Sequence, residues 1–286
     1  MVQKGAGELE AAYWNEELKL RRAVNAREFA RGMDVRQSFA GWVAQGAVLP
    51  AVSQAGEFAI PASGDRLINA IYPGGVYSHL LSARNNLVVS SPRFTIDTDN
   101  ISIRTLGGQF SNAQLIVENY AVPRGGIYHM RFAPKQDRMG WWRWDTTYWK
   151  GFKAYVEWGT YDDLTHFQLD PEQGRMKPKP EPPKDGRSYF GIQQIVFHDS
   201  SEAPREDVAA LSELLDGGPP ADIEQLAARI REKLAAAVDA FGRGSMTESQ
   251  AALLDWFVRA GLLPATAAEL PTIAAGLRQD QAAENE

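Results

Sequence analysis

The strongest constraint on this chain is a long middle stretch, from about Phe39 to His198. Short runs of Val, Ile, Thr and aromatic residues are separated there by clusters of Gly, Pro, Asn and Asp. The clearest runs cover residues 58–60, 87–90, 93–96, 101–106, 113–118, 127–132, 141–145, 153–159 and 191–197. Each has the length of a strand, and several alternate. In the run from Ile101, Ile101 and Ile103 face one side while Ser102 and Arg104 face the other. Many short strands with turn residues between them specify an antiparallel sandwich or barrel. No strand–helix alternation supports a parallel doubly wound sheet. The expected core includes Ile101, Ile103, Leu115, Val117, Val156 and Val196.

Helical periodicity brackets this region. Residues 8–33 carry Leu9, Tyr13, Leu20, Val24 and Phe29 at roughly helical spacing, with Glu16, Glu17, Lys19, Arg21 and Arg22 between them. Gly32 marks a stop. After Asp199 a short helix at 207–215 is broken by Gly217-Gly218-Pro219-Pro220. Asp222 and Gln225 then form a capping-box pattern ahead of Ile223, Leu226, Ile230, Leu234, Val238 and Phe241. Thr247 and Gln250 repeat it ahead of Leu253, Leu254, Phe257 and Val258, and Gly261 and Pro264 end that helix. The expected organisation is an N-terminal helix (1–35), a β-sandwich (36–200) and a C-terminal helical segment (201–286). Residues 162–187 interrupt the sandwich. Their centre, Lys177-Pro178-Lys179-Pro180-Glu181-Pro182-Pro183-Lys184, cannot form a central strand and reads as an exposed polyproline-like loop.

Composition narrows the chemistry. The 286 residues contain no cysteine, which excludes disulfides, zinc–thiolate sites, iron–sulfur clusters, covalent haem and a cysteine nucleophile. Thirty Lys and Arg against 36 Asp and Glu give a net charge of −6, with no basis for gripping nucleic acid. No run approaches the roughly 20 apolar residues of a membrane span. Met1-Val2-Gln3-Lys4 leads into no apolar stretch, so the start reads as that of a cytoplasmic chain or of a segment of a longer one. Gly74-Gly75, Gly107-Gly108 and Gly125-Gly126 sit at strand ends and suit turns or bulges, and no phosphate-binding glycine motif is present. His79, His129, His166 and His198 form no metal-binding spacing. Ser78-His79 and Ser90-Ser91 lack the context of a nucleophile elbow. No carboxylate pair stands out for glycoside hydrolysis, so an enzyme is not expected.

Two constellations remain. The chain carries eight Trp, nine Tyr and twelve Phe, with a cluster at Trp141-Trp142-Arg143-Trp144-Asp145 followed by Tyr148-Trp149-Lys150. On a strand Trp142 and Trp144 share one face, while Trp141 and Arg143 point the other way. One set fills the core; an exposed set could stack on sugar rings while Arg143 bonds hydroxyls, with Tyr148 and Trp149 extending the platform. An exposed cluster equally suits docking of a neighbouring domain. The second constellation is Asp97 and Asp99, in a turn between strands, with Glu57 and Asp199 near the first and last strands. Such oxygen side chains can hold a structural calcium, although Asp and Asn also dominate ordinary turns.

The ordered segments then resemble a known family. They are Phe58-Ala59-Ile60-Pro61, Gly64-Asp65-Arg66, Ile71-Tyr72-Pro73-Gly74-Gly75-Val76-Tyr77-Ser78-His79, Ser90-Ser91-Pro92-Arg93-Phe94, Val117-Glu118-Asn119-Tyr120, Met139-Gly140-Trp141-Trp142-Arg143-Trp144-Asp145, Trp149-Lys150-Gly151 and Tyr189-Phe190-Gly191-Ile192. Together they resemble the β-sandwich region of planctomycete-type cytochrome c multidomain proteins, which carry domains of unknown function beside haem segments. The likeness covers residues 36–200, and Leu253-Leu254-Asp255-Trp256-Phe257-Val258-Arg259-Ala260-Gly261-Leu262-Leu263-Pro264 resembles the stretch that follows. It implies a jelly-roll, carbohydrate-binding-module-like domain inside a larger exported, periplasmic or extracytoplasmic protein. Without CxxCH no haem role carries over. The resulting expectation is a non-catalytic carbohydrate-binding-like module, with polysaccharide and neighbouring domains of a parent chain as partners. No cofactor is expected beyond a structural calcium. The alternatives are a structural docking module and, third, a glycan-cleaving enzyme.

Overall fold

The computed structural model describes residues 6–47, 51–59, 61, 66–108, 110–119, 131–163, 167–169, 176–178, 181–184, 186–216 and 220–263. His129, His166, Gly125, Gly126, Pro264 and most of the 127–132 run lie outside them. The chain forms two compact units. One comprises Arg31–Ser53 and Gly75–Ala203; the other joins Gln54–Gly74 to the described residues up to Ala30 and from Pro204 to Leu263.

The first unit is mainly β. Its strands are β1 (Gly32–Asp34), β2 (Val43–Gly46) and β3 (Val52–Ser53), then, after β4 (Glu57–Phe58) and β5 (Ile71–Tyr72) of the other unit, β6 (Gly75–Tyr77), β7 (Leu87–Ser90), β8 (Phe94–Thr95), β9 (Asn100–Gly107), β10 (Asn112–Val117), β11 (Arg131–Phe132), β12 (Gln136–Asp145), β13 (Lys153–Gly159), β14 (Phe167–Leu169), β15 (Met176–Pro178) and β16 (Phe190–His198). One sheet runs β12-β9-β16-β6-β3, with β1 also on β16; the other runs β11-β10-β13-β7-β2, with β8 also on β13. The pairings in both sheets are antiparallel. The chain crosses between the sheets repeatedly, at β9–β10, β11–β12 and β12–β13 among others, winding as a jelly-roll β-sandwich. Within the proline-rich insertion β14 and β15 form a short hairpin, with Phe167 opposite Pro178.

The core lies between the sheets. Ile101, Ile103, Trp144, Ile192 and Ile195 come from one sheet; Val89, Leu115, Val117, Val156 and Trp158 come from the other. Val196 is buried but stands outside that cluster. The cause is a bulge at Gln193, between Ile192 and Gln194, which reverses the inward parity of β16. A polar bond crosses the dry interior. The Trp158 indole N–H donates to Thr105 Oγ1 at 3.1 Å, and the Thr105 hydroxyl donates to the Gly191 carbonyl at 2.6 Å.

The second unit contains α1 (Ala6–Glu28), α2 (Ala209–Leu214), α3 (Ile223–Gly242), α4 (Glu248–Arg259) and the β4–β5 pair. Residues 54–74 therefore belong with the helices, although the sequence pattern puts them in the sandwich. Ile71, Phe58 and Ile68 pack with Ala237, Ala240, Leu254 and Val258, and the buried Asp255 carboxylate accepts the Ile71 N–H at 2.9 Å. Both residues cap as the sequence pattern requires, but only the second box closes, because the Gln225 side chain accepts from the Ala221 N–H at 2.6 Å instead of from Asp222. Asp222 accepts from the Gln225 N–H at 2.8 Å, and Thr247 with Gln250 makes a full capping box. The α1 stripe differs from expectation: Tyr13 and Leu20 are exposed. Polar contacts hold α1 instead, including a reciprocal pair between the Asn25 amide and the Arg205 backbone at 2.9 and 3.0 Å.

Two stability effects are expected. Thr105→Val keeps the shape but orphans the Trp158 N–H, and should cost roughly 2 kcal/mol, read as a lower urea midpoint at unchanged m-value. His79 is fully buried beside Tyr189, with ring centroids 4.5 Å apart. Burial pushes its imidazole down to about 4 from 6.5, against a contact with the Phe190 backbone that raises it. The unfolded chain therefore takes up this proton first, and the contribution is lost as pH falls from 6.5 towards 4. The loss totals about 3 kcal/mol. His79→Gln should flatten unfolding free energy across that window; an unchanged slope would assign the acid sensitivity elsewhere.

Candidate functional site

The register of β12 on β9 sets Trp142 opposite Ile103 and Trp144 opposite Ile101, both on the core side. Trp144 is 8% exposed and Trp149 is 5% exposed. Trp142 stacks on Phe132 at 4.5 Å, and its buried Nε1 has no hydrogen-bond partner among the described residues. These three indoles pack the interior, so the aromatic platform read from the sequence is not assembled as a single surface. Trp141 lies on the other face, with the Arg104 guanidinium 6.0 Å from its ring centroid. Arg143 bonds the Asn100 side-chain carbonyl. Of the set, Tyr148, at 69%, and Arg143 are exposed.

Three of the four calcium candidates meet at one end of the sandwich, but two cations meet them there. Arg31 grips Asp97 through both terminal nitrogens, one at 2.8 Å, and this bond holds the carboxyl below its ordinary range. Lys150 Nζ is 2.6 Å from Asp99 Oδ1 and 4.0 Å from Asp199 Oδ1, and the Asp99 N–H donates to Asp199 at 2.9 Å. Its bond to Asp99 raises the Lys150 pKa. Glu57 belongs to the helical unit, on β4. Among the described residues no group of three His, Asp or Glu side chains has the geometry to hold a metal ion.

A Ser–His contact tests the hydrolase alternative. Ser102 Oγ is 2.8 Å from His198 Nε2, and His198 Nδ1 is 3.0 Å from the Ser200 carbonyl. A carbonyl only accepts, so Nδ1 carries the proton and Nε2 accepts from Ser102. That resembles a nucleophile–base pair, but both side chains are sealed from solvent. Asn100 donates to the same Ser200 carbonyl at 2.9 Å, so the group pins the chain as it leaves β16.

The outer face of the second sheet offers a different surface. Inward Leu115, Val156 and Trp158 alternate with outward Gln114, Tyr155 and Glu157. Strand register aligns Arg131, Gln114, Glu157 and Ser90 in one row across four strands. Gln114 Nε2 donates to Glu157 Oε1 at 2.8 Å, and the Ser90 hydroxyl donates to Oε2 at 3.2 Å. Burial lowers the Arg131 pKa while the Glu157 charge raises it. One step along, Tyr155 is half-buried, with the Arg93 guanidinium 5.9 Å from its ring centroid. Arg93 also donates to the Asn119 side chain at 2.7 Å. The row thus sets planar, multidentate donors and acceptors beside an aromatic ring, with Gln114 buried beneath and Arg131, Glu157, Ser90 and Tyr155 half-buried. Sequence reasoning missed it. The only signal was a Gln and a Glu at outward positions of two strong strands, with nothing to say that those strands pair.

Glu118, in the turn just after β10, accepts the Lys153 N–H at 2.8 Å.

No family model and no curated protein matches this chain, so the resemblance to planctomycete-type cytochrome c proteins gains no support. Among solved structures it is similar to TmCBM61 in complex with β-1,4-galactotriose, at 11% identity and a TM-score of 0.29, over 57% of this chain and 90% of that one. It is also similar to the CBM51-2 and INT domains of Clostridium perfringens ZmpB, at 8% identity and a TM-score of 0.30, over 81% of this chain and 45% of that one. A third is the xylan-binding module CBM15, at 12% identity and a TM-score of 0.24, over 60% and 97% of the two chains. Scores this low do not transfer function, and the sandwich assignment stands on its own strand pairing. No helix among the described residues is long and apolar enough to cross a membrane.

The charge arrangement at the sandwich end predicts that a chelator leaves Tm unchanged and calcium does not raise it. Lys150→Met should make Tm rise on calcium addition, by freeing Asp99 and Asp199. A chelator-induced fall in wild-type Tm would show that an ion belongs to the fold.

Proposed function

We propose that this chain is a non-catalytic glycan-binding module whose ligand lies on the outer face of the second sheet. The observation that carries this reading is the Arg131–Gln114–Glu157–Ser90 row beside Tyr155. Sugar hydroxyls donate and accept at once, so they are best met by side chains with several fixed donors and acceptors. The apolar C–H face of a pyranose suits an aromatic ring. Such sites bind weakly unless preorganised, and the bonds from Gln114 and Ser90 hold Glu157 in place before ligand arrives. The reading includes an extracytoplasmic setting, where polysaccharide is met. A separate observation favours a docking role for the helical unit: Trp256 and Leu262 are exposed at and beyond the end of α4.

The test is binding of the purified chain to cellulose, xylan, galactan and mannan, followed by calorimetry on the polysaccharide retained. Glu157→Gln should weaken binding about tenfold, the equivalent of one hydrogen bond at about 1.4 kcal/mol, with Tm close to wild type, and Gln114→Ala, at a buried position, should weaken binding likewise and lower Tm. Retention of none of the four by folded wild-type protein, or full affinity in both variants, would overturn the assignment.

A further inference from the structure

We infer that the ligand is an extended polysaccharide chain running from the polar row along β13 to the end of the sandwich, where Tyr148 and Phe152 make a second contact. This rests on the glycan-binding reading and specifies its ligand as a chain of several units rather than a terminal sugar. Three observations carry it.

The first is continuity. The outward positions of β13 are Glu157, Tyr155 and the exposed Lys153, and the exposed Phe152 stands just before the strand, outside its alternation. Five residue steps separate Glu157 from Phe152, roughly 17 Å of extended strand, more than one sugar ring can cover. The second is exposure. Tyr148 is 69% and Phe152 43% exposed, two large rings standing in water at the end of the strand that carries the polar row. The third is rigidity. Both rings meet the buried Trp149 edge-on, Tyr148 at 4.9 Å and 81° and Phe152 at 5.8 Å and 77°. Backbone bonds fix the frame: Trp149 N–H to Thr146 O at 2.8 Å, Gly151 N–H to Ile96 O at 2.7 Å and Ile96 N–H to Phe152 O at 2.9 Å. Gly151 adopts φ +90 and has open space where a Cβ would stand. Exposed rings held in a fixed frame lose little side-chain entropy on stacking against a ligand.

The experiment titrates the full chain with oligomers of increasing length from whichever of cellulose, xylan, galactan or mannan binds. Wild-type affinity should rise with length. Tyr148→Ala with Phe152→Ala should lose about five- to tenfold on long oligomers and polymer, while the shortest oligomer that binds is held within about twofold. Tyr148→Ala alone, at the more exposed ring, should show part of the same loss if the double variant folds poorly. Glu157→Gln should weaken every length. Affinity independent of length, or unchanged polymer binding in the double variant, overturns the extended path while leaving the Glu157 effect to stand for the face. No binding at any length overturns both.

Discussion

The sandwich depends on the bond from the Trp158 indole to Thr105. Hydrophobic burial presses two sheets together without specifying how they slide over one another, because it is non-directional. A hydrogen bond in a dry interior is directional, and leaving either partner unpaired is costly. Here one indole on β13 meets one hydroxyl on β9, and that hydroxyl also holds the Gly191 carbonyl of β16. Three strands from two sheets are thereby fixed at a single point. Trp42 packs against the same indole with ring centroids 6.0 Å apart, so the polar link sits within an aromatic layer.

Once Trp158 points inward, the outer face follows. Alternation sends Glu157 and Tyr155 outward, and the β10–β13 register brings Gln114 opposite Glu157. The same inward commitment leaves Trp144, Trp149 and Trp158 buried and Trp142 half-buried. Trp142 and Trp144 fill the space against Phe132, and Trp149 supports the turn below Tyr148. The aromatic richness of this chain is therefore largely structural. What it presents to a ligand is a small number of rings, each held by a buried neighbour.

Charge at the sandwich end shows how similar residue types can serve different ends. Asp97, Asp99 and Asp199 are drawn together by strand termini, as in many cation sites. Arg31 and Lys150 reach them from β16's neighbouring chain and from the turn after β12, and supply the positive charge covalently. Spacing along the chain identified the carboxylates but not the two cations, because Arg31 lies 66 residues from Asp97.

By itself the sequence determined the fold class, the strand runs, the helix caps at Asp222 and Thr247, and the shared face of Trp142 and Trp144. These rest on period, turn chemistry and contacts within a few residues, which any local window contains. Tertiary structure alone decided the bulge at Gln193 that moved Val196 out of the main core, the transfer of residues 54–74 to the helical unit, the polar hold on α1, and the meeting of Gln114 with Glu157 across 43 residues of chain. Each depends on which segments gain most by packing together, a balance summed over the whole chain and visible in no single stretch of it.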